Sequence, residues 1–337
     1  GKRRAWAEVC CKVRLVQVVN QLDLPWGIFE SEFLFVAKRA FITGITGQDG
    51  WYLRELLETK GYEVYGWGRD ECDITNLDQV RVAIQQAQPD EIYHLAAQSH
   101  VGASEADSSA TMKVNVQGTE NLLQCAQGEV PGARFFFASS CEVFGDASES
   151  PQKETTPFIP VNPYGVSKME ATEKVYKARE GGLFAVNGFL YNHESPRRGL
   201  NFVTQKICRG AAAIASGIEE ELRLGDTSMK RDWSDARDVV RGMWLSLQAN
   251  QPDDYIFASG QTHAVQEVVE IAFETVGLKW EDHVVRDDSF KRKKEPRDLV
   301  GDASKAKALL DWEPKTSFRD LIIEMTVAAR TQMTRSR

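Results

Sequence analysis

Residues 39–61, RAFITGITGQDGWYLRELLETKG, decide the fold of this chain. Their first part, RAFITG, is short, rich in β-forming residues and ends at a glycine, which is typical of a strand. Their last part, WYLRELLETKG, spaces Leu53, Leu56 and Leu57 along one face of a helix, and Gly61 is a stop signal after it. A strand followed at once by a glycine loop and a helix is a typical beginning of a parallel α/β sheet.

The loop between this strand and this helix carries Gly44, Gly47 and Gly50, spaced three residues apart. Glycines allow a sharp turn and let the backbone approach a pyrophosphate, and the free N–H groups of the following helix favour the anion. The spacing GxxGxxG differs from the GxGxxG dinucleotide fingerprint. The loop therefore indicates either a dinucleotide site or an ordinary structural turn.

The chain beyond the loop keeps alternating between strand-like and helix-like patterns. The further predicted strands are 62–68, 91–97, 133–140 and 184–191, and the helices between them are 77–88, 111–127 and 162–180. This alternation predicts an α/β fold with a doubly wound parallel (Rossmann) sheet and helices on both faces. A looser pattern after residue 191 predicts a smaller C-terminal substrate-binding lobe.

We divide the chain into three parts. Residues 39–191 form the dinucleotide-binding Rossmann domain, and residues 192–337 are mostly the substrate lobe, from which 235–260 return to the first domain. Residues 1–38 are a basic, amphipathic extension that does not continue the pattern. A targeting peptide or a docking helix are the alternatives for this extension, although Glu8 and Lys12 interrupt any signal-like apolar core.

Composition narrows the function class. The chain has 337 residues, is 42% hydrophobic and carries a net charge of −8, which argues against bulk binding of nucleic acid or an anionic membrane. No apolar stretch approaches the roughly 20 residues of a membrane span. The six cysteines show no CxxC pair and no spacing with histidine, so they predict free thiols in a reducing compartment and no metal site.

The end of the second strand selects the dinucleotide. A carboxylate there bonds the ribose 2′-hydroxyl of NAD, whereas an arginine accepts the 2′-phosphate of NADP. In VYGWGRDE, Arg69 comes first and Asp70 follows. This order favours NADP, and the alternative is that Arg69 is only a solvated loop charge.

Catalytic chemistry is indicated by NPYGVSK, in which Tyr164 and Lys168 lie four residues apart on one helix face. A nearby ammonium favours the phenolate, which would let Tyr164 act as acid or base near neutral pH. The preceding strand ends in ASSCEVFG, which puts Ser140 and Glu142 at the carboxyl edge of the sheet, where ligands bind. The alternative for Glu142 is a salt-bridged carboxylate at the sheet edge.

Taken together, TGxxGxxG, HLAAQS, SSCEVFG and YxxxK resemble the extended short-chain dehydrogenase/reductase family over about residues 38–330. The narrower strings GITGQDG, PDEIYHLAAQSHV, NHESPRRGLNFVT, GDTSMKRDWSDARDVVRGMW and GDASKAKALLDWEPKTSF resemble the GDP-mannose 4,6-dehydratases within it. NHESPRRG is the most specific of these strings, since the related GDP-sugar reductases carry a different string at this place.

The resemblance implies an internal redox cycle on GDP-mannose. NADP takes hydride from C4 with the help of Tyr164, Lys168 and Ser140, and Glu142 then removes the C5 proton and helps to expel the C6 hydroxyl as water. The hydride returns to C6, and the product is GDP-4-keto-6-deoxymannose. The resemblance also implies a cytoplasmic homodimer or homotetramer that takes part in GDP-fucose biosynthesis.

The resemblance assigns further contacts residue by residue. Those implied for NADP, together with Tyr164 and Lys168, are Gly44, Ile45, Thr46, Gly47, Gln48, Asp49, Gly50, Arg69, Asp73, Ile74, Leu95, Ala96, Ala97, Gln98, Ser99, His193 and Arg198. Those implied for the sugar nucleotide are Ser99, Ser140, Glu142, Asn192, Lys206, Arg231 and Arg292. The alternative for each of the last three cations is a solvated surface charge.

The chain departs from the family's pattern after the second strand. The family has a long segment there that begins with two arginines, helps to bind the 2′-phosphate and contributes to a tetramer contact, whereas Arg69 is followed at once by DECDIT. The family's catalytic threonine is Ser140, which keeps the hydroxyl. A GDP-4-keto-6-deoxyhexose reductase or epimerase on the same scaffold, and a non-catalytic NADP-sensing protein, are the rival functions.

Overall fold

A computed structural model describes residues 15–17, 33–35, 37–287, 289 and 299–335 of the chain. Most of the N-terminal extension, and the basic run that contains Arg292, lie outside the described residues.

The described strands are β1 (Leu15–Gln17), β2 (Phe33–Phe35), β3 (Arg39–Thr43), β4 (Glu63–Trp67), β5 (Glu91–His94), β6 (Arg134–Ser140), β7 (Phe184–Leu190), β8 (Asn192–Glu194), β9 (Leu222–Leu224), β10 (Lys230–Asp235), β11 (Asp254–Phe257), β12 (Thr262–Ala264) and β13 (Val284–Arg286). The described α-helices are α1 (Gln48–Thr59), α2 (Leu77–Ala87), α3 (Val101–Ala106), α4 (Ser108–Met112), α5 (Gly118–Glu129), α6 (Pro163–Glu180), α7 (Val203–Ala215), α8 (Ala236–Gln248), α9 (Val265–Val276), α10 (Ser304–Leu310) and α11 (Phe318–Arg335).

The central sheet has six parallel strands in the order β11-β7-β6-β5-β3-β4. This confirms the predicted α/β class with a doubly wound parallel sheet. The chain leaves β3 for β4 on one side and then crosses to β5 on the other side. The strand order therefore reverses between β3 and β5, and a crevice opens at their carboxyl ends, which is where such sheets bind ligands.

Both faces of the sheet are covered by helices. Successive residues of β6 point to opposite faces: Phe136 packs with residues of α1 and α8, whereas Phe135 and Phe137 pack with residues of α2, α5 and α6. The strands β6 and β7 are buried along almost their whole length, because a parallel sheet covered on both sides excludes water from both faces.

The remaining elements form a second layer of structure beyond the carboxyl edge. The strands β12, β10 and β8 make a small sheet, β13 pairs with β9, and α7, α9 and α11 share a separate apolar core. Two later parts of the chain lie on the main sheet instead: β11 pairs with β7, and α10 and Trp312 pack with α8. None of the described helices is both long and apolar enough to cross a membrane.

Two predicted elements differ from the structure. The predicted strand 91–97 ends at His94, and the predicted helix 111–127 begins earlier, at Ser108, and contains a π-helical turn over Lys113–Gln117. The π turn places the side chain of Asn115 in the buried space between the end of β5 and α6, where it makes hydrogen bonds.

Because the backbone at Gly44 lies close to the residues after β5, a side chain at this position should lower the free energy of unfolding. Gly44 and Gly61 have similar left-handed backbones, with φ of +74° and +80°, but only Gly44 is crowded, since a Cβ would lie 2.9 Å from the Ala96 nitrogen. We expect Gly61→Ala to lose about 1 kcal/mol of unfolding free energy and Gly44→Ala about 2–4 kcal/mol, measured by urea denaturation. Equal losses would show that the close contact is unimportant.

Candidate active site

The glycine loop forms a cradle at the start of α1. A Cβ on Gly44 would lie 2.9 Å from the Ala96 nitrogen, and one on Gly50 would lie 2.4 Å from the Gly44 oxygen. No side chain caps α1, because its N-cap residue is Gly47. The first N–H groups of a 12-residue helix are therefore available to an anion at the crevice, and these residues fit the pyrophosphate of a dinucleotide.

A buried chain of hydrogen bonds holds the end of β5 against this loop. Thr43 Oγ1 lies 2.8 Å from His94 Nδ1 and accepts a hydrogen bond from the Ala96 N–H at 3.2 Å. His94 Nε2 lies 3.0 Å from Thr119 Oγ1, whose proton is donated to the Asn115 carbonyl. Nε2 is therefore the protonated nitrogen of His94, and Nδ1 accepts from Thr43. Burial lowers the pKa of His94 to about 3, so the ring is neutral.

The same network continues to the catalytic helix α6. The Asn115 Oδ1 accepts from the Gln98 N–H at 2.8 Å, and its Nδ2 donates to Ser167 Oγ at 2.9 Å. Ser167 in turn donates to the Tyr164 carbonyl at 2.7 Å. The glycine loop, the residues after β5 and the start of α6 are thus joined through buried side chains.

Three predicted catalytic residues meet at the carboxyl end of β6. This strand ends at Ser140, whose Oγ accepts a hydrogen bond from the Glu142 N–H at 3.3 Å. Tyr164, in the first turn of α6, is buried, and its phenol interacts with the Ser140 hydroxyl. The Ser140 hydroxyl and the Tyr164 phenol are therefore in contact, and the Glu142 carboxylate is near enough for its charge to raise the pKa of Tyr164. Such a set is suited to alcohol oxidation and to proton abstraction next to a carbonyl.

Lys168 lies on the same face of α6 as Tyr164, but it is directed differently from our expectation. Its Nζ donates to the Ala138 carbonyl at 2.7 Å and lies 6.0 Å from the centre of the Tyr164 ring. Burial lowers the pKa of Lys168 to about 7. Burial also raises the pKa of Tyr164, and the contact with Ser140 only partly offsets this. The Lys168 ammonium therefore faces the Ala138 carbonyl and not the phenol, and its stabilisation of the Tyr164 phenolate stays a prediction.

The loop that follows β7 is tied to the start of α1. The Gln48 Nε2 donates to the His193 carbonyl at 3.1 Å, and the Gln48 Oε1 accepts from Ser195 Oγ at 2.8 Å. The His193 Nε2 lies 2.9 Å from Asp49 Oδ2. These three contacts fix the distance between the glycine loop and the segment that follows β7.

The ring of His193 lies between two acceptors. Its Nδ1 is 2.7 Å from the Tyr191 carbonyl, while its Nε2 faces the Asp49 carboxylate. Burial alone would lower the pKa of His193, but the carboxylate outweighs it and raises the pKa. Burial would likewise raise the pKa of Asp49, but the charge and hydrogen bond of His193 lower it. Both nitrogens therefore donate, and the pair is an imidazolium with a carboxylate.

The two arginines of this loop are held by different partners. The Arg198 Nε lies 3.1 Å from Glu194 Oε2, and its guanidinium lies 3.5 Å from the centre of the Phe202 ring. The exposed Arg197 stacks on the Trp51 ring of α1 at 3.9 Å. The charge of Arg198 also favours the Tyr164 phenolate, but burial outweighs it and raises the pKa of Tyr164.

Comparison with known proteins identifies the family. A family profile described as GDP-mannose 4,6 dehydratase matches residues 69–325, which is well over half of the chain. The chain belongs to the GDP-mannose 4,6-dehydratase family. This confirms the resemblance that the sequence motifs indicated.

Individual relatives agree with this assignment. GDP-mannose 4,6 dehydratase 1 of Arabidopsis thaliana is 41% identical over 325 residues, which cover 87% of this chain and 90% of the relative. GDP-mannose 4,6 dehydratase of Homo sapiens is 41% identical over 336 residues, covering 86% and 90%. The solved structure of RMD from Pseudomonas aeruginosa complexed with NADPH is 24% identical and superimposes with a TM-score of 0.80 over 88% of this chain and 100% of that one, which shows the shared fold.

The cofactor contacts expected for a member of the GDP-mannose 4,6-dehydratase family fall into two groups. Those at 44–50, 95–99, His193 and Arg198 follow the ends of β3, β5 and β7 at the carboxyl edge of the sheet. Arg69 is exposed at the end of β4, and Asp73 holds its own loop by accepting from the Thr75 N–H and hydroxyl, both at 2.9 Å. The side chain of Ile74 is buried in the core beside α2 and α5, and its cofactor contact stays a prediction.

The substrate contacts expected for the GDP-mannose 4,6-dehydratase family are also separated. Asn192 on β8 and Arg231 on β10 lie in the same three-stranded sheet, where Trp233 pairs with Asn192. Lys206 instead donates to the Arg223 carbonyl on β9 at 2.7 Å. Arg292 lies outside the described residues.

Sequence reasoning missed several polar residues that support the site. Asn162 Nδ2 donates to Glu142 Oε2 at 2.8 Å, and Ser195 and Asn115 make the contacts described above. Asn162 had a readable signal, since an asparagine before a proline is a good start for a helix. Asn115 had none, because a π turn leaves no mark in the apolar periodicity.

The buried Lys168 predicts a pH-dependent stability. Its folded pKa of about 7 lies below the ordinary value of 10.5, so the unfolded chain binds more protons between these values and stability rises with pH there. We expect wild type to gain up to about 1.4 kcal/mol per pH unit relative to Lys168→Met above pH 7. Urea denaturation of both proteins checks this, and parallel pH profiles would contradict it.

The Asp49–His193 pair predicts a contribution to stability that falls as the pH becomes alkaline, which is opposite to the trend for Lys168. Because the pKa of Asp49 is lowered from 3.8, its carboxylate contributes to the free energy of unfolding above pH 3.8. Because the pKa of His193 is raised from 6.5, its imidazolium contributes below pH 6.5, and this contribution is lost as the pH rises through the pKa of the folded state. Asp49→Asn should therefore cost about 1–3 kcal/mol of unfolding free energy between these values and less in alkaline buffer. Asp78→Asn, in the first turn of α2 but without a histidine partner, is the matched control. A loss independent of pH would refute the ion pair.

Proposed function

We propose that this chain dehydrates GDP-mannose to GDP-4-keto-6-deoxymannose with a bound NADP. Membership of the family supports the substrate and the reaction class. One observation supports the reaction most: Ser140, Glu142 and Tyr164 are grouped at the carboxyl end of β6, on the same edge of the sheet as the glycine cradle. An oxidation and an elimination can be served by this one group of side chains.

The oxidation at C4 of the substrate uses the phenol of Tyr164 and the hydroxyl of Ser140. Tyr164 accepts the proton of the substrate's C4 hydroxyl, and Ser140 orients that hydroxyl through a hydrogen bond. A bound nicotinamide supplies the hydride acceptor at the start of the cycle and the hydride donor at its end. Lys168 lies on the same face of α6 as Tyr164 and burial lowers its pKa to about 7, so it is the group proposed to exchange a proton with Tyr164 near neutral pH.

The elimination uses the carboxylate. A ketone at C4 acidifies the hydrogen on C5, and Glu142 removes this hydrogen as a proton. The electron pair left on C5 forms a C5–C6 double bond as the C6 hydroxyl leaves, and a proton from Glu142 converts that hydroxyl to water. Hydride return to C6 from a bound cofactor would leave an enolate, and its C5 would take up the proton that Tyr164 removed from the C4 hydroxyl, so no cofactor would be consumed.

Residues of the same site support NADP as the cofactor and suggest where the sugar nucleotide binds. The cradle of Gly44, Gly47 and Gly50 suits the pyrophosphate, and Arg69 and Arg198 are the cations available for the 2′-phosphate of NADP. Asn192 and Arg231 are the described residues proposed for the sugar nucleotide. We further propose a cytoplasmic homo-oligomer, in line with the family resemblance.

The deciding experiment incubates the purified protein with GDP-mannose and no added cofactor. We expect a 4-keto product, and we expect NADP to be released when the protein is denatured. A GDP-4-keto-6-deoxyhexose reductase would instead require added NADPH and would leave GDP-mannose unchanged. Absence of conversion, with correctly folded protein that retains its cofactor, would overturn the proposal.

The role of Glu142 can be tested separately. In D2O the wild type should place deuterium on C5 of the product, because the proton that returns there comes from exchangeable groups. Glu142→Gln should lower kcat by about 100-fold or more, since the amide cannot accept the C5 proton. Turnover of this variant at the wild-type rate would remove Glu142 from the mechanism.

A further inference from the structure

The side chain of Asn162 connects two parts of the site that come from different elements. It is the N-cap of α6, where its Oδ1 accepts from the Gly165 N–H at 2.8 Å. Its Nδ2 donates to Glu142 Oε2 at 2.8 Å, although Glu142 belongs to the turn after β6. Asn162 is buried and Glu142 is half-buried, so the contact is largely shielded from water.

The orientation of this amide is determined by its neighbours. The Gly165 N–H can only donate, so the atom that faces it must be the oxygen. The amide nitrogen then faces the Glu142 carboxylate, to which it donates. The reverse orientation would place oxygen against oxygen and N–H against N–H, and both contacts would be repulsive.

The backbone around Glu142 is packed just as closely. A Cβ on Gly165 would lie 2.6 Å from the Glu142 carbonyl oxygen, so the first turn of α6 lies directly on the turn that carries Glu142. On the other side, Ser140 accepts from the Glu142 N–H. The main chain of Glu142 is thus fixed by Ser140 and α6, and its side chain is oriented by Asn162.

We propose that Asn162 is a positioning residue for the proton transfer at C5. This proposal rests on the function proposed above. By occupying Oε2, the amide fixes the carboxylate rotamer and leaves Oε1 as the oxygen that takes the C5 proton. The C4 oxidation depends on Tyr164 and Ser140 and not on this contact. Loss of the amide should therefore slow the elimination while sparing the oxidation that precedes it.

The variant that tests this is Asn162→Ser. Serine is also a good N-cap, so it keeps the bond to the Gly165 N–H, but it is too short to reach Glu142. We expect kcat for GDP-mannose to fall about 10- to 100-fold with little change in KM, because a poorly placed base costs roughly that much. Since oxidation continues, the bound cofactor should accumulate in its reduced form during turnover, seen as near-ultraviolet absorbance.

A matched control comes from α2. Asn76 is the N-cap of that helix, and within the described part of the chain the hydrogen bonds given for its side chain are those from the Asp78 and Gln79 N–H groups. Asn76→Ser makes the same change at an equivalent cap and should leave kcat and the cofactor spectrum unchanged. Asn162→Asp, which keeps the cap acceptor and places a second carboxylate against Glu142, should impair elimination at least as much as Asn162→Ser.

The outcomes are distinguishable. Wild-type kcat in Asn162→Ser would overturn the role of Asn162, and so would a fall in kcat with the cofactor remaining oxidised, because that would place the defect in the oxidation. If Asn162→Ser does not fold, Asn162→Asp provides the same readout. Failure of the unsubstituted protein to convert GDP-mannose would instead overturn the proposed function, and the role of Asn162 with it.

Discussion

The backbone contact between Gly44 and the residues after β5 is the constraint on which the site depends. Adjacent parallel strands normally diverge into separate loops, but here the Gly44 backbone approaches Ala96 so closely that a methyl group would not fit. This contact brings the glycine loop to the point where the strand order reverses. The position of α1, and with it the anion-binding end of that helix, follows from the same approach.

Two sets of buried polar contacts transmit this position to the rest of the site. One runs from Thr43 through His94 and Asn115 to α6, and the other ties Gln48 and Asp49 to the loop after β7. Each polar atom in these networks has a partner, which is the condition under which buried polar groups add rigidity instead of cost. Catalytic groups on β6 and α6 are therefore held relative to a cofactor site built from β3 and β5.

Most of the fold could be predicted from the sequence because it rests on periodicity. The alternation of strands and helices, and the glycine loop after β3, gave the sheet class, and the order of motifs indicated Ser140, Glu142 and Tyr164 as neighbours. The direction of Lys168 could not be predicted, since spacing along a helix gives the face but not the hydrogen-bond partner, here the Ala138 carbonyl. The links made by Asn162 and Asn115 join residues distant in sequence, and only tertiary packing brings them together.

The π turn at Lys113–Gln117 has a consequence for the tolerated length of its helix. A π turn accommodates one more residue than an α turn, and each residue of an α-helix corresponds to about 100° of rotation. Removing one residue from this turn would allow regular α-helix throughout, yet it would rotate α4 by that angle relative to α5. The face that α4 presents to α6 would then point elsewhere, and Asn115 would leave the network. A more regular helix would thus break the hydrogen bonds that Asn115 makes to Gln98 and Ser167.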